Sequence, residues 1–312
     1  RQRQMCIRDS NTRNACPDGA GVPQPFAQQV ISMEDFIHTL NAVIWSPALV
    51  AFCLGAGLFF SIKSRFVQLR LIPEMWRLLF QKKEDEIGLS SFQALSLTLA
   101  GRVGTGNIAG VATAICFGGP GALFWMWVVA FLGASSAFVE STLGQIYKER
   151  IEGQYRGGPA FYIERGLKLK AYAWAFAIVT ILASCFFCPG VQSNSIALAW
   201  NEAFGLDAEV TAAIVASITC FVIVGGLRRI ATFTSWVVPF MAQAYIVVAL
   251  IIVGVNWEQI PAVMTLIVNS AFGFDSLTGG MLGAAIAWGV KRGIYSNEAG
   301  QGTGPHLSLI HI

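Results

Sequence analysis

Charged side chains are scarce in this sequence, and histidine is nearly missing. Only 12% of the 312 residues are Asp, Glu, Lys or Arg, whereas 54% are hydrophobic and the mean hydropathy is +0.58. A soluble globular domain carries roughly twice that fraction of charge, so the composition excludes this class. Histidine occurs only at His38, His306 and His311. An imidazole metal site or a His-based catalytic triad is therefore excluded as well.

Cysteine is present, but not in a pattern typical of a disulfide framework. Five of the seven cysteines fall inside apolar stretches. Cys185 and Cys188 form a C-x-x-C motif in an apolar run that contains no second pair. This favours a structural role, with a redox or metal-binding role as the alternative.

Long apolar runs are what the sequence does have. Seven are predicted to cross a bilayer, and an eighth, 262–273, is too short. Their approximate bounds are 38–61, 90–117, 121–146, 171–199, 209–226, 235–255 and 277–290. The sequence therefore predicts a polytopic membrane protein whose main surroundings are the lipid bilayer.

The basic residues predict its orientation, because they occur in every second connection. No Lys or Arg lies at 118–120, 200–208 or 256–276, so we expect the N-terminus outside and the basic loops in the cytoplasm of a bacterial cell. The net charge of +3 thus reflects orientation and gives no reason to expect a nucleic-acid partner. The basic connections contain Lys63, Arg65, Arg70, Arg77, Lys82, Lys83; Lys148, Arg150, Arg156, Arg165, Lys168, Lys170; Arg228, Arg229; and Lys291, Arg292.

The most informative segment is 98–110, where Gly104 and Gly106 flank Thr105 inside an apolar span. Glycine lowers helix propensity and lets the backbone leave the α region, so we expect a broken helix near mid-membrane. Non-helical backbone at this depth of the membrane is tolerated only when it is buried in protein or lines a water-filled cavity. Secondary transporters hold substrates and coupling ions at such breaks. The pattern predicts a transporter for a small solute.

A second glycine-rich helix is predicted in the last span, which runs opposite to the first. Counted after the leading span, these helices are numbers one and six, where an inverted repeat would place its discontinuous helices. The glycines of the last span are Gly279, Gly280, Gly283, Gly289 and Gly293.

These motifs resemble those of the alanine or glycine:cation symporter family, the sodium:alanine symporters, over about 38–305. The matching segments are Gly101–Ile115, Gly119–Trp127, Phe138–Thr142, Arg156–Ile163, Val191–Ile196 and Ser296–Gly300. The resemblance implies a leucine-transporter fold, with five-plus-five inverted repeats and an extra leading helix. It also implies uptake of alanine, glycine or a similar amino acid with Na⁺, sometimes H⁺, across the bacterial inner membrane.

The expected fold class is therefore an all-α polytopic membrane protein with a leading helix and core helices 1–6. The ends resemble translated sequencing-adapter DNA, and the start lacks the apolar core of a signal peptide. We therefore expect artefactual ends and a natural protein that continues with four more helices beyond about Pro305. The predicted parts are an external tail at 1–35 (artefactual at 1–10), the leading and cytoplasmic interfacial helices at 36–89, the first repeat at 90–260, the start of the second at 261–305, and an artefactual end at 306–312.

The broken helix would supply most of an amino-acid site. Amide N–H groups freed at Thr105, Gly106 and Asn107 favour a carboxylate, because they begin a half-helix. Carbonyls at about Ala100 and Val103 could ligate Na⁺, to which the Thr105 and Asn107 side chains add oxygens. The alternative is that these glycines only permit close helix packing.

Two other helices are predicted to contribute. Pro189 interrupts the fourth span just before Gln192 and Asn194, whose polar groups would contact the ammonium or carboxylate, or else bond between helices. Trp288 and Gly289 would form a wall that limits the substrate side chain. Alternatively, Trp288 would anchor its helix at the membrane–water interface.

Three charged residues are predicted to act in gating or structure. Arg102 inside a span costs roughly 2.5–3.5 kcal/mol if it is unpaired. Glu140 is its expected partner, in a structural or gating ion pair rather than in direct substrate contact. Glu298 beside Lys291 and Arg292 would lock a gate, or else cap a helix.

The predicted function is sodium-coupled symport of alanine or glycine by alternating access. An enzyme is not expected, because the sequence contains no convergent acid, base or metal constellation. Na⁺ is a coupling ion, and no cofactor is expected. The alternatives are a proton-coupled transporter of the same fold and an inactive fragment.

Overall fold

The computed structural model describes residues 24–80, 90–151, 154–273, 279–298 and 300–307. The chain divides into two compact units, 1–46 and 47–312. In the described part of the first unit, one helix, α1 (Gln24–Ile44), begins inside the stretch predicted as an external tail.

Helices dominate the described part of the second unit. They are α2 (Pro47–Lys63), α3 (Val67–Arg70), α4 (Ile72–Leu79), α5 (Ser91–Arg102), α6 (Thr105–Gly118), α7 (Gly121–Ile146), α8 (Pro159–Gly166), α9 (Lys170–Leu182), α10 (Cys188–Phe204), α11 (Ala208–Ile223), α12 (Gly226–Val255), α13 (Ile260–Phe272), α14 (Gly279–Asn297) and α15 (Thr303–Leu307). A π-helical turn, Ala183–Phe187, joins α9 to α10. An antiparallel hairpin, β1 (Glu149–Ile151) and β2 (Gln154–Arg156), follows α7.

Four described stretches are long and apolar enough to cross a bilayer: Asp35–Lys63, Gly121–Ile146, Lys170–Phe204 and Arg229–Val255. The first of them contains the leading span predicted at 38–61, with a turn at 45–46 between α1 and α2. The predicted span at 90–117 is divided into α5 and α6, as the glycines indicated. The run at 262–273 forms the short helix α13.

The last predicted span, 277–290, ends too early. Helix α14 continues to Asn297, so Lys291 and Arg292 lie inside it rather than in a following loop. Two of its glycines, Gly289 and Gly293, serve close packing, whereas Gly280 and Gly283 have open space beside them. A Cβ atom on Gly289 would lie 2.6 Å from the Ala122 carbonyl oxygen, and one on Gly293 would lie 3.1 Å from Val129 Cβ. The discontinuity comes later, between α14 and α15.

Helix α7 is the centre of the packing, since it contacts α2, α6, α13 and α14. Val50, Val129 and Val290 form one apolar cluster among α2, α7 and α14. Buried hydroxyls add a polar link, in which Ser61 donates to Ser135 at 3.0 Å and Ser135 donates to a backbone carbonyl of α2 at 3.0 Å. Small residues thus let α2 and α14 approach a single scaffold helix.

The segment predicted to lie in the cytoplasmic interface forms α3 and α4. No residue of α4 is buried, and Trp76 stacks on Phe80 with ring centroids 6.0 Å apart. A helix lying in the membrane interface and a connector packed on the protein both stay predictions for this segment. The remainder of the predicted segment, with Lys82 and Lys83, lies outside the described residues.

Candidate functional site

The first helix break lies at Val103 and Gly104. Helix α5 begins with a reciprocal capping box between Ser90 and Gln93, and it ends at Arg102. Val103 and Gly104 are extended, and α6 starts at the next residue. The predicted broken helix is confirmed.

The backbone hydrogen bonds around this break leave some groups uncommitted. The N–H of Val103 donates to the Leu99 carbonyl at 2.7 Å, and that of Asn107 donates to Gly104 at 3.1 Å. Neither bond uses the carbonyl of Ala100 or Val103. Ala100 and Val103, whose carbonyls are the predicted Na⁺ ligands, line a cavity beside the break.

The side chain of Asn107 is occupied by protein partners. Its amide group donates to the Arg102 carbonyl, and its own oxygen accepts from the Ser296 hydroxyl of α14. These bonds close the end of α5 and tie the break to a second helix. The side-chain oxygen of Asn107, predicted as a possible Na⁺ ligand, therefore takes part in a contact between helices and is not free.

Gln192 reaches the break from α10. Its Oε1 accepts from the backbone N–H of Thr105 at 3.4 Å, and a Cβ atom on Gly104 would lie 3.3 Å from its Nε2. The Thr105 hydroxyl is buried and has no hydrogen-bond partner among the described residues. Asn194, two residues further along α10, is exposed and does not reach this place.

A cavity of about 560 Å³ occupies the space between the break, the π-helical turn and the end of α14. Its volume lies in the range of small-molecule sites, about 300–1,000 Å³. Thr105 and Asn107 are not on its wall, although Gly104 and Gly106 are. The wall consists of Ala100, Gly101, Arg102, Val103, Gly104, Gly106, Thr180, Ile181, Ser184, Cys185, Cys188, Pro189, Gln192, Tyr295, Ser296, Glu298, Gln301 and Thr303.

Trp288 and Gly289 lie away from this cavity, which corrects the prediction that they form its wall. Trp288 stacks on Phe117 with ring centroids 4.8 Å apart, and Gly289 packs against α7. Because α14 extends to Asn297, its cavity-facing turn is about two helical turns further along. Tyr295 lies beside the break, in the place predicted for Trp288. A Cβ atom on Gly106 would lie 3.2 Å from the Tyr295 ring.

The second helix break has its own chemistry. Glu298, Gly300 and Gly302 all have positive φ angles, of 49°, 85° and 75°. The Thr303 hydroxyl at the start of α15 donates to Glu298 Oε2 at 3.0 Å. This bond joins two side chains and involves no backbone N–H of α15, so both predicted roles of Glu298, in a gate or as a helix cap, stay predictions. The cations predicted to lock a gate with it, Lys291 and Arg292, lie 5.1 and 5.5 Å from the ring centroid of Trp288.

Glu140 on α7 connects the two breaks. Its carboxylate accepts a hydrogen bond from the backbone N–H of Gly302 and is attracted by the charge of Arg102. Among the described residues, no direct ion pair joins Glu140 to Arg102. Burial, and then the neighbouring carboxylate of Glu140, raise the pKa of Tyr162 on α8 to about 12, so this hydroxyl stays protonated.

Several cavity residues were missed from the sequence, notably Tyr295, Ser296, Gln301 and Thr303. The usable signal was the polar run Ser296–Thr303, which contains two closely spaced glycines directly after an apolar helix. Glycine with positive φ commonly follows a helix end, so the run could have located the second break.

The comparison with known families identifies the chain, since residues 30–309 match the model of the sodium:alanine symporter family. The chain belongs to this family. It is therefore a multi-pass membrane protein of a transporter family, and nothing points to catalysis. The resemblance found in the sequence is confirmed.

Relatives support this assignment. The chain is 58% identical over 274 residues to the "Putative sodium/proton-dependent alanine carrier protein YrbD" of Bacillus subtilis (strain 168), covering 88% of this chain and 57% of that protein. It is 42% identical over 283 residues to the "Probable sodium/glutamine symporter GlnT" of the same organism, covering 90% and 59%. It is 41% identical over 277 residues to the "Sodium/alanine symporter AgcS" of Methanococcus maripaludis, covering 86% and 61%. The chain thus spans about three fifths of the length of these relatives.

Proposed function

We propose that this chain forms the substrate-binding part of a symporter that couples uptake of a small neutral amino acid, alanine or glycine, to Na⁺ by alternating access. The observation that carries the proposal is the contact between Gln192 Oε1 and the Thr105 N–H at the edge of a cavity. A side-chain oxygen already occupies the first N–H of a half-helix. A substrate carboxylate would make the same kind of bond more strongly, because it is charged.

The carboxylate would bind at the start of α6. The N–H of Gly106 is not used by any of the backbone hydrogen bonds around the break, and that of Thr105 is released when Gln192 turns away. The positive end of the α6 dipole adds to the attraction for an anion. The Gln192 amide could then bind the ammonium group through its oxygen.

Na⁺ would bind at the end of α5, beside the same cavity. Ala100 and Val103 lie on the cavity wall, and their carbonyls would be the ligands because hard cations prefer oxygen. The buried hydroxyl of Thr105 has no hydrogen-bond partner among the described residues, although Thr105 itself is not on the cavity wall. A cation there would lie close to the bound carboxylate, which would link the two binding events.

Proton coupling is the second candidate, and it is favoured by two relatives whose names mention sodium and proton together. Glutamine is a competing substrate, because another relative is named for it. We place the protein in the bacterial inner membrane, with its N-terminus outside, on the alternation of its basic connections.

The test uses the protein encoded by the complete reading frame that contains this sequence, reconstituted in vesicles. We expect uptake of labelled alanine driven by a Na⁺ gradient at equal pH, with competition by glycine stronger than by glutamine. Uptake driven only by a pH gradient would contradict Na⁺ coupling and support proton coupling.

A matched pair of variants tests the site. Gln192→Ala removes the side chain at the break and is expected to raise the KM for alanine about tenfold or more, since a hydrogen bond to a charged group contributes about 1.5–3 kcal/mol. Asn194→Ala on the same helix changes an exposed side chain and should leave the KM near its original value. Equal effects of both changes would contradict the assignment of Gln192.

A further inference from the structure

Two thiols on the cavity wall are not used by the proposed transport function. Cys185 and Cys188 both line the 560 Å³ cavity, and both are free. In sequence they form a C-x-x-C motif, for which a structural role was favoured. Their shared position in the cavity changes that interpretation.

Both cysteines come from the junction between the π-helical turn and α10. Cys185 lies in the π-helical turn and Cys188 is the first residue of α10, so they are three residues apart and line the same cavity. Pro189 follows directly and lacks an N–H group, so the helix widens at this point instead of continuing its regular bonds.

The surroundings contain charges of both signs. Glu298 acts on Cys188, and Arg102 lies on the wall of the same cavity. Among the described residues, no group of three His, Cys, Asp or Glu side chains is arranged to hold a metal. A tetrahedral zinc site is therefore not supported, whereas thiolates are ligands for softer ions that accept fewer partners.

We propose that Cys185 and Cys188 form a two-thiol site that chelates a soft thiophilic cation or a trivalent arsenical, and that its occupation blocks the cavity. With phenylarsine oxide as the probe, two S–H bonds break and two As–S bonds form. The oxygen on arsenic leaves as water with both protons, and the arsenic stays trivalent. Only the blocking effect rests on the proposed function.

The first experiment measures the adduct by mass spectrometry on the purified protein from the complete reading frame. We expect one phenylarsenic group that bridges the two cysteines and is removed by 2,3-dimercaptopropanol but not by 2-mercaptoethanol. Cys185→Ser and Cys188→Ser should each lose this dithiol-specific adduct, and Cys220→Ser on α11 should keep it. Absence of the adduct in the unchanged protein, or its persistence in both single variants, would overturn the site.

The second experiment measures uptake before and after the reagent. We expect the unchanged protein to lose most of its alanine uptake, with recovery after 2,3-dimercaptopropanol, and we expect alanine with Na⁺ to slow formation of the adduct. An adduct that leaves uptake unaltered would overturn the blocking role. If the untreated protein shows no uptake, the proposed function fails, while the adduct still decides whether the thiol site exists.

Discussion

The two helix breaks use glycine for different reasons. At the first break Gly104 has a φ of −161°, an extended conformation that any residue adopts, and the constraint is space, because a Cβ would lie 3.3 Å from Gln192. At the second break Gly300 and Gly302 have positive φ, so the constraint is conformation, to which a close approach to Pro159 is added at Gly302. The first break is thus shaped by a flexible side chain, and the second by the backbone itself. We expect the first to rearrange with ligand and the second to resist substitution.

The largest effect is expected from Gly302→Ala. The new side chain would have to accept φ of +75° and would place Cβ 2.6 Å from Pro159 Cγ. Left-handed backbone costs roughly 1–2 kcal/mol and overpacking about 1–3 kcal/mol more. We expect a clear loss of thermal stability in detergent together with loss of uptake.

Gly300→Ala is the matched control for that change. It has a similar φ of +85°, but nothing lies within 4 Å of the new Cβ. Only the backbone cost of roughly 1–2 kcal/mol should appear. If the two variants lose the same stability, the close approach of Gly302 to α8 has no energetic role.

A smaller effect is expected from Gly104→Ala. The contact at 3.3 Å is with the end of a flexible side chain, which can move. We expect a rise of a few fold in the KM for alanine and little change in thermal stability, because about 1.4 kcal/mol corresponds to a factor of ten in affinity. The double variant with Gln192→Ala should show non-additive effects in a double-mutant cycle, and strict additivity would contradict the contact.

Ser296→Ala tests the bond between the first break and α14. The hydroxyl donates to Asn107, so its removal leaves a half-buried amide oxygen without this partner. We expect a stability loss of about 1 kcal/mol, and up to about 3 kcal/mol if water cannot replace the bond. An unchanged melting temperature would show that this bond does not stabilise the contact between the first break and α14.

The smallest effect is expected outside both breaks, at the ion pair between Glu149 and Arg165. The hydrogen bond from Arg165 lowers the pKa of Glu149. The ion pair therefore stabilises the folded protein above the ordinary pKa of glutamate, and this stabilisation is lost as the pH falls through the lowered pKa. Because the pair is exposed, Glu149→Gln should scarcely change uptake at neutral pH. If the variant and the parent differ in melting temperature at neutral pH and this difference disappears in acid, the predicted direction of the pH dependence is confirmed.

The sequence predicts the first break and not the second for a physical reason. Gly104 and Gly106 interrupt an apolar span, where any departure from the helix is conspicuous. The second break follows a helix that contains Lys291 and Arg292, and these charges indicated a loop. The basic side chains are accommodated inside α14, where both cations lie near the ring of Trp288.

The site was predicted in part. Gln192 was found because a polar residue in an apolar span requires a partner. Asn194 was chosen by the same criterion, but the residue lies on an exposed part of α10, since helix rotation separates residues two apart. The contact of Asn107 with Ser296 joins residues far apart in sequence, and no local pattern carries that information.

The π-helical turn has a consequence for the length of the chain. Such a turn holds one residue more than an α-helical turn. A one-residue deletion within Ala183–Phe187 would let regular bonds close and leave α10 in its orientation. The same deletion within α9 would rotate everything after it by about 100° and carry Gln192 away from the cavity. A one-residue deletion should therefore be tolerated better at the π-helical turn than within α9.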